Sequence, residues 1–425
     1  MARILYSVIL YLFSPVIVFY LYIVRGKKNP AYRAHFAERF GFIDPQTTTP
    51  LVIHCASVGE VLAATPLIKA LQIQQPQLAI MITCNTPTGR AQINSSFKGT
   101  VKSAYLPLDF PDATARFLKR VKPCLIGILE TELWPNLIVQ SNKKNIPVLV
   151  LNARLSAKSQ HGYQRVQPLT NAIMSSITAL ASHNETDAKR FIELGLAQSK
   201  ISVSGSIKFD INPTSEQRNK VSALKKYYNE QRFIWVAGST HPVEHQFILT
   251  AHAILLRTRP EALLVIAPRH PEQFAKVAEL LENSSMTFSR RSHNNYENEN
   301  VLLVDTLGEL QCLYGMANIS YVGGSLIARG GHNPLESAAF SVGILAGPYT
   351  YNFAHIYPEL ITLGGCETVN NDKQLAEKLV YYSNNQTACI TLGQQAAQCV
   401  ANNQGAIAKT IQLINQHLEQ NNEQP

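Results

Sequence analysis

The chain has 425 residues, of which 46% are apolar and only 16% charged, too few charges for a coiled coil or an acidic disordered chain. Its 22 Gly and 22 Pro are scattered, which excludes low complexity, and at about 150 residues per domain two or three domains are expected. The formal net charge of +9 favours an anionic partner, whether nucleic acid, phosphates or an acidic membrane face.

From Ile4 to Val24 the sequence runs 21 residues without a charge. As a helix this stretch is about 31 Å long, close to the hydrocarbon core of a bilayer. Tyr6, Tyr11, Tyr20 and Tyr22 sit toward its ends, as interfacial aromatics do. Arg25, Lys27, Lys28, Arg33 and Arg39 follow, with Glu38 the one acid among them. The stretch is too long for a signal peptide and lacks a small-x-small cleavage site. It predicts a membrane anchor over residues 1–26, with the rest of the chain on the cytoplasmic side. Crossing the bilayer and lying in its interface both remain open, because Ser7, Ser14 and Pro15 suit the second.

After residue 50, short apolar runs alternate with helical stretches. Strands are predicted at Leu51–Ala56, Leu78–Cys84, Val101–Leu106, Cys124–Leu129, Ile146–Leu151, Thr178–Ser182 and Ile201–Ser204. These runs are continuous rather than alternating, as strands covered on both faces are, and their helix-length spacing makes βαβ units and a parallel sheet. Residues 207–232 turn polar and read as a linker between an α/β domain over 27–206 and a second over 233–400. The second series runs Phe233–Ala237, Ala262–Ala267, Val301–Val304, Ile319–Val322 and Val342–Leu345. Asn283–Asn300 reads as a surface loop, and 401–425 as a helix with a polar tail. The fold class is therefore α/β, with two doubly wound parallel-sheet domains facing a cleft, behind an N-terminal anchor helix. Cys55, Cys84, Cys124, Cys312, Cys366, Cys389 and Cys399 form no C-x-x-C pair and read as reduced, mostly buried thiols.

Ligands of such sheets bind beyond the carboxyl ends of the strands, so the strand-to-helix junctions carry the candidates. In HCASVGE, Ser57 and Glu60 have capping-box spacing, with Gly59 between them. Glu60 either satisfies a backbone amide there or stands at the cleft as a proton acceptor. In ILETELWPN, Glu130 and Glu132 emerge from a buried run beside Trp134, which is costly unless they are paired or face a cleft. A helix-start acid favoured by the dipole is the alternative. Arg154 and Lys208 follow apolar runs at the same edge and suit a phosphate or carboxylate, or else are solvated surface charges. In the second half, Ser239 and His241, Pro268 and Arg269, and the run Asn333, Pro334, Leu335, Glu336 mark junctions with Pro at the start of a helix. The last follows a Gly pair and predicts a capped helix N-terminus able to take an anion. Gly308, Glu309 and Leu310 add another turn of this kind. The chain carries no P-loop, G-x-G-x-x-G, H-E-x-x-H, G-x-S-x-G or D-x-D signature.

Taken together, ASVGE, ETELWPN, NARLS, SGSIKFD, PRHPEQF and GGHNPLE resemble the 3-deoxy-D-manno-octulosonic acid (Kdo) transferases of lipopolysaccharide synthesis, in family order and approximate spacing. The resemblance implies a GT-B fold and an inner-membrane enzyme that moves Kdo from CMP-Kdo to the lipid A precursor. No cofactor or metal is expected beyond that donor. By resemblance Glu60 matches a general base, and Glu130 and Lys208 match residues that stabilise the transition state. Pro268, Arg269, Gly308–Leu310 and Asn333–Glu336 match CMP-binding segments. The implied partners are the donor, the lipid acceptor and anionic inner-membrane lipid, with no nucleic acid. Two other readings compete: a different membrane-associated sugar-nucleotide transferase or epimerase, and an anchored two-domain protein that binds a phosphorylated ligand.

Overall fold

The computed structural model describes residues 1–229, 231–296 and 298–422. It divides into two compact units, one formed by Met1–Asp210 with the chain from Gln404 onward, the other by Ile211–Asn403.

The first unit is built on seven parallel strands: β1 (Leu51–His54), β2 (Ile80–Cys84), β3 (Lys102–Tyr105), β4 (Leu125–Leu129), β5 (Val148–Ala153), β6 (Ala179–Ser182) and β7 (Ile201–Val203), in the order β3-β2-β1-β4-β5-β6-β7. Every residue of β1, β2, β4, β5 and β6 is buried, which is why these strands read as unbroken apolar runs. Val52 of β1 pairs with Met81 on one side and Ile126 on the other. The strand order reverses between β1 and β4, so the loops leaving these two strands flank the point where such sheets bind ligands.

The second unit repeats the plan with β8 (Ile234–Thr240), β9 (Leu263–Pro268), β10 (Phe288–Arg290), β11 (Val301–Leu303), β12 (Ile319–Val322), β13 (Gly343–Ala346) and β14 (Cys366–Thr368). Its parallel order is β10-β11-β9-β8-β12-β13-β14, with the reversal between β8 and β12. Both units are α/β, and the architecture is GT-B-like.

Several boundaries differ from the sequence reading. The polar segment 207–232 is no free linker: Ser215–Tyr227 is a helix opened by a Thr214–Gln217 capping box. Its Val221 and Leu224 pack into the core of the second unit with Ile234 and Val236. The units part at Asp210, and the polar loop expected at Asn283–Asn300 contains β10. Both β10 and β14 are three residues long, too short to leave a periodic signal. The helix Ala406–Asn422 belongs to the first unit, where Ile411, Ile414 and Leu418 join a core that includes Leu67 and Leu71. Asp210 accepts the backbone N–H groups of Gly405 and Ile407 at its start. The last three residues of the expected polar tail lie outside the described residues.

The N-terminal segment is helical from Ala2 to Lys28, long and apolar enough to cross a membrane. Ile4, Leu5, Val8, Leu12, Phe13, Val16 and Phe19 are all exposed. Its other side packs on its own unit. Ser7 is buried against Asn136, whose Nδ2 donates to Ser7 Oγ at 3.1 Å. The Tyr11 ring stacks on Phe110 with centroids 5.0 Å apart. Arg39, expected in an exposed basic collar, is instead buried over the Tyr105 ring at 4.2 Å and donates to Asn85 O.

Candidate active site

In the first unit the site grows from the carboxyl ends of β1, β4 and β5. Ser57 caps the helix Val58–Gln74, its Oγ accepting the N–H of Glu60 at 3.3 Å. The Glu60 carboxylate in return accepts the N–H of Ala56 at 2.8 Å and the hydroxyl of Ser57 at 2.9 Å. Glu60 thus satisfies a backbone amide as the capping reading expects, and the same carboxylate lines a cavity of about 290 Å³ together with Glu130, Glu132, Arg154, Ser156 and Ser159. Burial raises its pKa to about 7, outweighing the Ala56 and Ser57 bonds that lower it, and the charges of Glu130 and Glu132 add to the rise. A carboxyl that titrates near neutrality in a polar cavity has the properties of a general base. Gly59 sits in the first turn of the same helix, where a Cβ would meet only Ser57 Oγ, at 3.8 Å.

Glu130 follows β4 with φ +58, a left-handed conformation that is unfavourable for a side chain of this kind. Its Oε1 lies 3.4 Å from Lys208 Nζ. Glu132, two residues on, has a raised pKa through burial and the Glu130 charge. Asn152, in β5, is fully buried at φ +53. Its Oδ1 accepts the N–H of Ile207 at 3.0 Å and lies 2.8 Å from His183 Nε2. That side chain thus fixes the single 3₁₀ turn Ile207–Phe209 on which Lys208 sits. The polar set of this unit is one site: Glu60, Glu130, Glu132 and Arg154 share the cavity, and Lys208 joins it through Glu130.

In the second unit the corresponding position holds Ser239 and His241 at the end of β8, Arg269 after β9 and a Gly pair after β12. Ser239 is left-handed at φ +55, and a Cβ on Gly323 would come within 2.4 Å of its carbonyl oxygen, so the two loops cross backbone to backbone. Arg269 is tied to β8 through its N–H to Thr240 O, 2.9 Å, directly after Pro268. His241 Nε2 lies 3.0 Å from Nε2 of His332, a residue the sequence reading passed over.

The expected capped helix N-terminus differs in the structure. The helix after the Gly pair is a single turn, Leu335–Ala338, capped by Pro334 rather than Asn333, whose Oδ1 accepts the N–H of Leu335 at 3.1 Å. One turn carries little macrodipole, so the expected anion-binding helix terminus is weak. Leu335 is fully buried, and Glu336 is half-buried, with burial raising its pKa. Glu309 is saturated by protein: Arg291 donates to it twice, at 3.2 and 3.1 Å, Lys220 at 3.1 Å and Thr306 at 2.7 Å. Gly308 supplies the left-handed turn before it, φ +83, and Leu310 starts the next helix. What this turn can offer a ligand is backbone rather than carboxylate.

The model of the 3-deoxy-D-manno-octulosonic-acid transferase (kdotransferase) family matches residues 34–211. A 3-deoxy-D-manno-octulosonic acid transferase of Haemophilus influenzae is 39% identical over 427 residues, 99% of this chain and 100% of that one. The probable mitochondrial 3-deoxy-D-manno-octulosonic acid transferase of Arabidopsis thaliana is 33% identical over 366 residues, covering 83% of this chain and 81% of that one. Among solved structures, UDP-GlcNAc 2-epimerase from Neisseria meningitidis, bound to UDP-GlcNAc, superposes with a TM-score of 0.57 over 88% of this chain and 100% of that one. At 15% identity that likeness shows the shared fold alone. The near full-length similarity to the Haemophilus enzyme, with the transferase model laid over the half that carries Glu60, Glu130 and Lys208, makes this chain a member of the Kdo transferase family.

Proposed function

We propose that the protein transfers Kdo from CMP-Kdo to the lipid A precursor, lipid IVA, with inversion at the anomeric carbon. Glu60 is the general base. It takes the proton of the acceptor hydroxyl as that oxygen attacks, a contribution of about 10²–10⁴ in rate. Lys208 and Glu130 stabilise the charge that develops as the donor bond opens. CMP is held by the second unit through Arg269, the Gly308–Leu310 turn and the Asn333–Glu336 segment. The reaction proceeds without a metal.

The anchor lies in the interface of the inner membrane, on the cytoplasmic side against anionic lipid, rather than crossing the bilayer. The supporting observation is that Ser7 and Tyr11 are engaged with Asn136 and Phe110, contacts that a crossing helix would have to give up. The observation that carries the catalytic reading is the Glu60 carboxyl, poised near pH 7 beside Glu130 in a polar cavity.

Mass spectrometry of lipid IVA incubated with CMP-Kdo and the protein tests the reaction and counts the sugars added. The expected result is a Kdo-bearing lipid, formed at the same rate with EDTA and at least ~10²-fold more slowly by Glu60→Ala. No sugar transfer in the presence of both substrates would refute the proposal, and donor hydrolysis or epimerisation in its place would favour the competing enzymes.

A further inference from the structure

The two histidines at the reversal point of the second sheet have an arrangement that the proposed reaction leaves unused. The rings of His241 and His332 are within 8° of parallel, with centroids 5.2 Å and Nε2 atoms 3.0 Å apart. Rings so spaced and joined through nitrogen lie edge to edge in nearly one plane, bound by an N–H···N hydrogen bond, rather than face to face. A neutral pair of this kind shares one proton between its two Nε2 atoms. A second proton can be added only at an Nδ1, which leaves the shared bond in place and makes it charge-assisted.

The setting holds the pair rigidly. Glu244, 0% exposed, accepts N–H groups from Gly324 at 2.7 Å, Ser325 and Leu326 at 3.1 Å each, and His241 at 3.1 Å, and the hydroxyl of Tyr321 at 2.7 Å. One carboxylate therefore clamps the loop after β12 to the start of the helix after β8. Gly324, left-handed at φ +70, leaves room for both rings: a Cβ there would lie 3.2 Å from His332 and 3.4 Å from His241. The charged and titratable groups facing the pair are Glu244 on the helix of His241, Arg269 and His270 from the loop after β9, and Arg329 from the loop of His332, with His245 one turn along the helix. The His270 ring stands edge-on to His241 at 5.7 Å. Burial, with the Arg269 guanidinium adding to it, lowers the pKa of both members, that of His332 to about 4, so the pair is neutral at pH 7. An arriving anion reverses that balance.

We propose that His241 and His332 act as one proton-carrying pair for the phosphate of the nucleotide donor, taking up a proton as the phosphate binds and returning it to the phosphate as the sugar departs. This rests on the CMP-sugar reading given above. In the transfer step the acceptor oxygen bonds to the anomeric carbon and its proton goes to Glu60. The bond from the anomeric carbon to the phosphate oxygen breaks, with its electron pair passing to the phosphate. The pair releases its extra proton to that phosphate, so CMP leaves as the monoanion and the histidines are neutral again.

Calorimetric titration of the full-length protein with CMP at pH 8, in two buffers of different ionisation enthalpy, counts the protons. Uptake of about one proton per CMP is expected for the wild type. In His332→Gln it is lost, with CMP affinity kept within about tenfold, transfer slowed ~10²-fold and the alkaline limb of the rate profile gone. His241→Gln removes the other ring and is expected to behave alike, so one misfolded variant does not decide the matter. CMP binding with no proton uptake by the wild type, or uptake retained in both variants, overturns the pair and leaves the donor reading standing. Absence of CMP binding overturns the donor reading itself.

Discussion

Lys208 Nζ stands 3.4 Å from Glu130 Oε1, an ion pair between loops 78 residues apart in the chain. Neither end is free to wander. Glu130 is pinned by a left-handed backbone at the end of β4, and the turn bearing Lys208 is pinned by Asn152. Two rigidly presented, partly exposed charges of opposite sign suit a transition state in which charge separates.

Removing the cation tests this directly. Lys208→Met is expected to keep the fold and slow transfer by ~10²–10³-fold. It also leaves Glu130 uncompensated beside Glu60, so the acid limb of the rate profile should move to higher pH. A wild-type rate, measured as CMP release with both substrates present, would dismiss the role.

The Glu60 carboxyl predicts how rate and stability depend on pH. Activity should rise through about pH 7 as the base ionises. Because the folded-state pKa lies above the unfolded one, the folded protein binds the extra proton between about 4.5 and 7. Glu60 therefore costs stability progressively over that window and fully above it. Glu60→Gln should melt higher than the wild type at pH 8, equal it near pH 4, and be inactive at both.

Glu130→Gly separates strain from function. Glycine takes the left-handed backbone at little cost, so the variant should be as stable as the wild type or more so, by up to ~1 kcal/mol. Transfer should still collapse. Thermal melts and a transfer assay on one preparation give both answers.

Asn152→Ala removes the acceptor for Ile207 N–H in a dry interior, which costs about 1–3 kcal/mol. The turn of Lys208 should loosen with it. Hydrogen exchange at Ile207 is expected to accelerate, and the rate to fall even at temperatures where the variant is fully folded.

Glu309→Gln bears on a structural rather than a chemical carboxylate. Burial opposes its ionisation, but Arg291, Thr306 and Lys220 hold its pKa down to about 2. Its stabilisation is present above the unfolded value of about 4.5 and is lost as pH falls toward 2. The variant should be destabilised at pH 7, by about 1–3 kcal/mol for charge-assisted bonds of this kind, and approach the wild type at pH 2.

What could be read along the chain was whatever depends on near neighbours. β1, β4 and β5 announce themselves as apolar runs because both faces are covered, and Glu60 and Glu130 stand out as acids at their ends. The helix Ser215–Tyr227 was hidden because only Val221 and Leu224 face inward, leaving a polar string that resembles a linker. Glu244, Asn152 and His332 were invisible for a different reason. Their partners lie 80, 55 and 91 residues away, and no local pattern encodes such a contact. Tyr11 reads as an interfacial aromatic and Ser7 as a polar residue suited to an interfacial helix, but their partners Phe110 and Asn136 lie far along the chain and leave no local trace.

The helix Ala406–Asn422, which completes the core around Leu67 and Leu71, imposes an order on biosynthesis. On the ribosome the second unit, Ile211–Asn403, emerges whole while the first still awaits its closing piece. Until that helix has been made, the nascent first unit presents an uncovered apolar groove along Leu67 and Leu71, a natural target for chaperones.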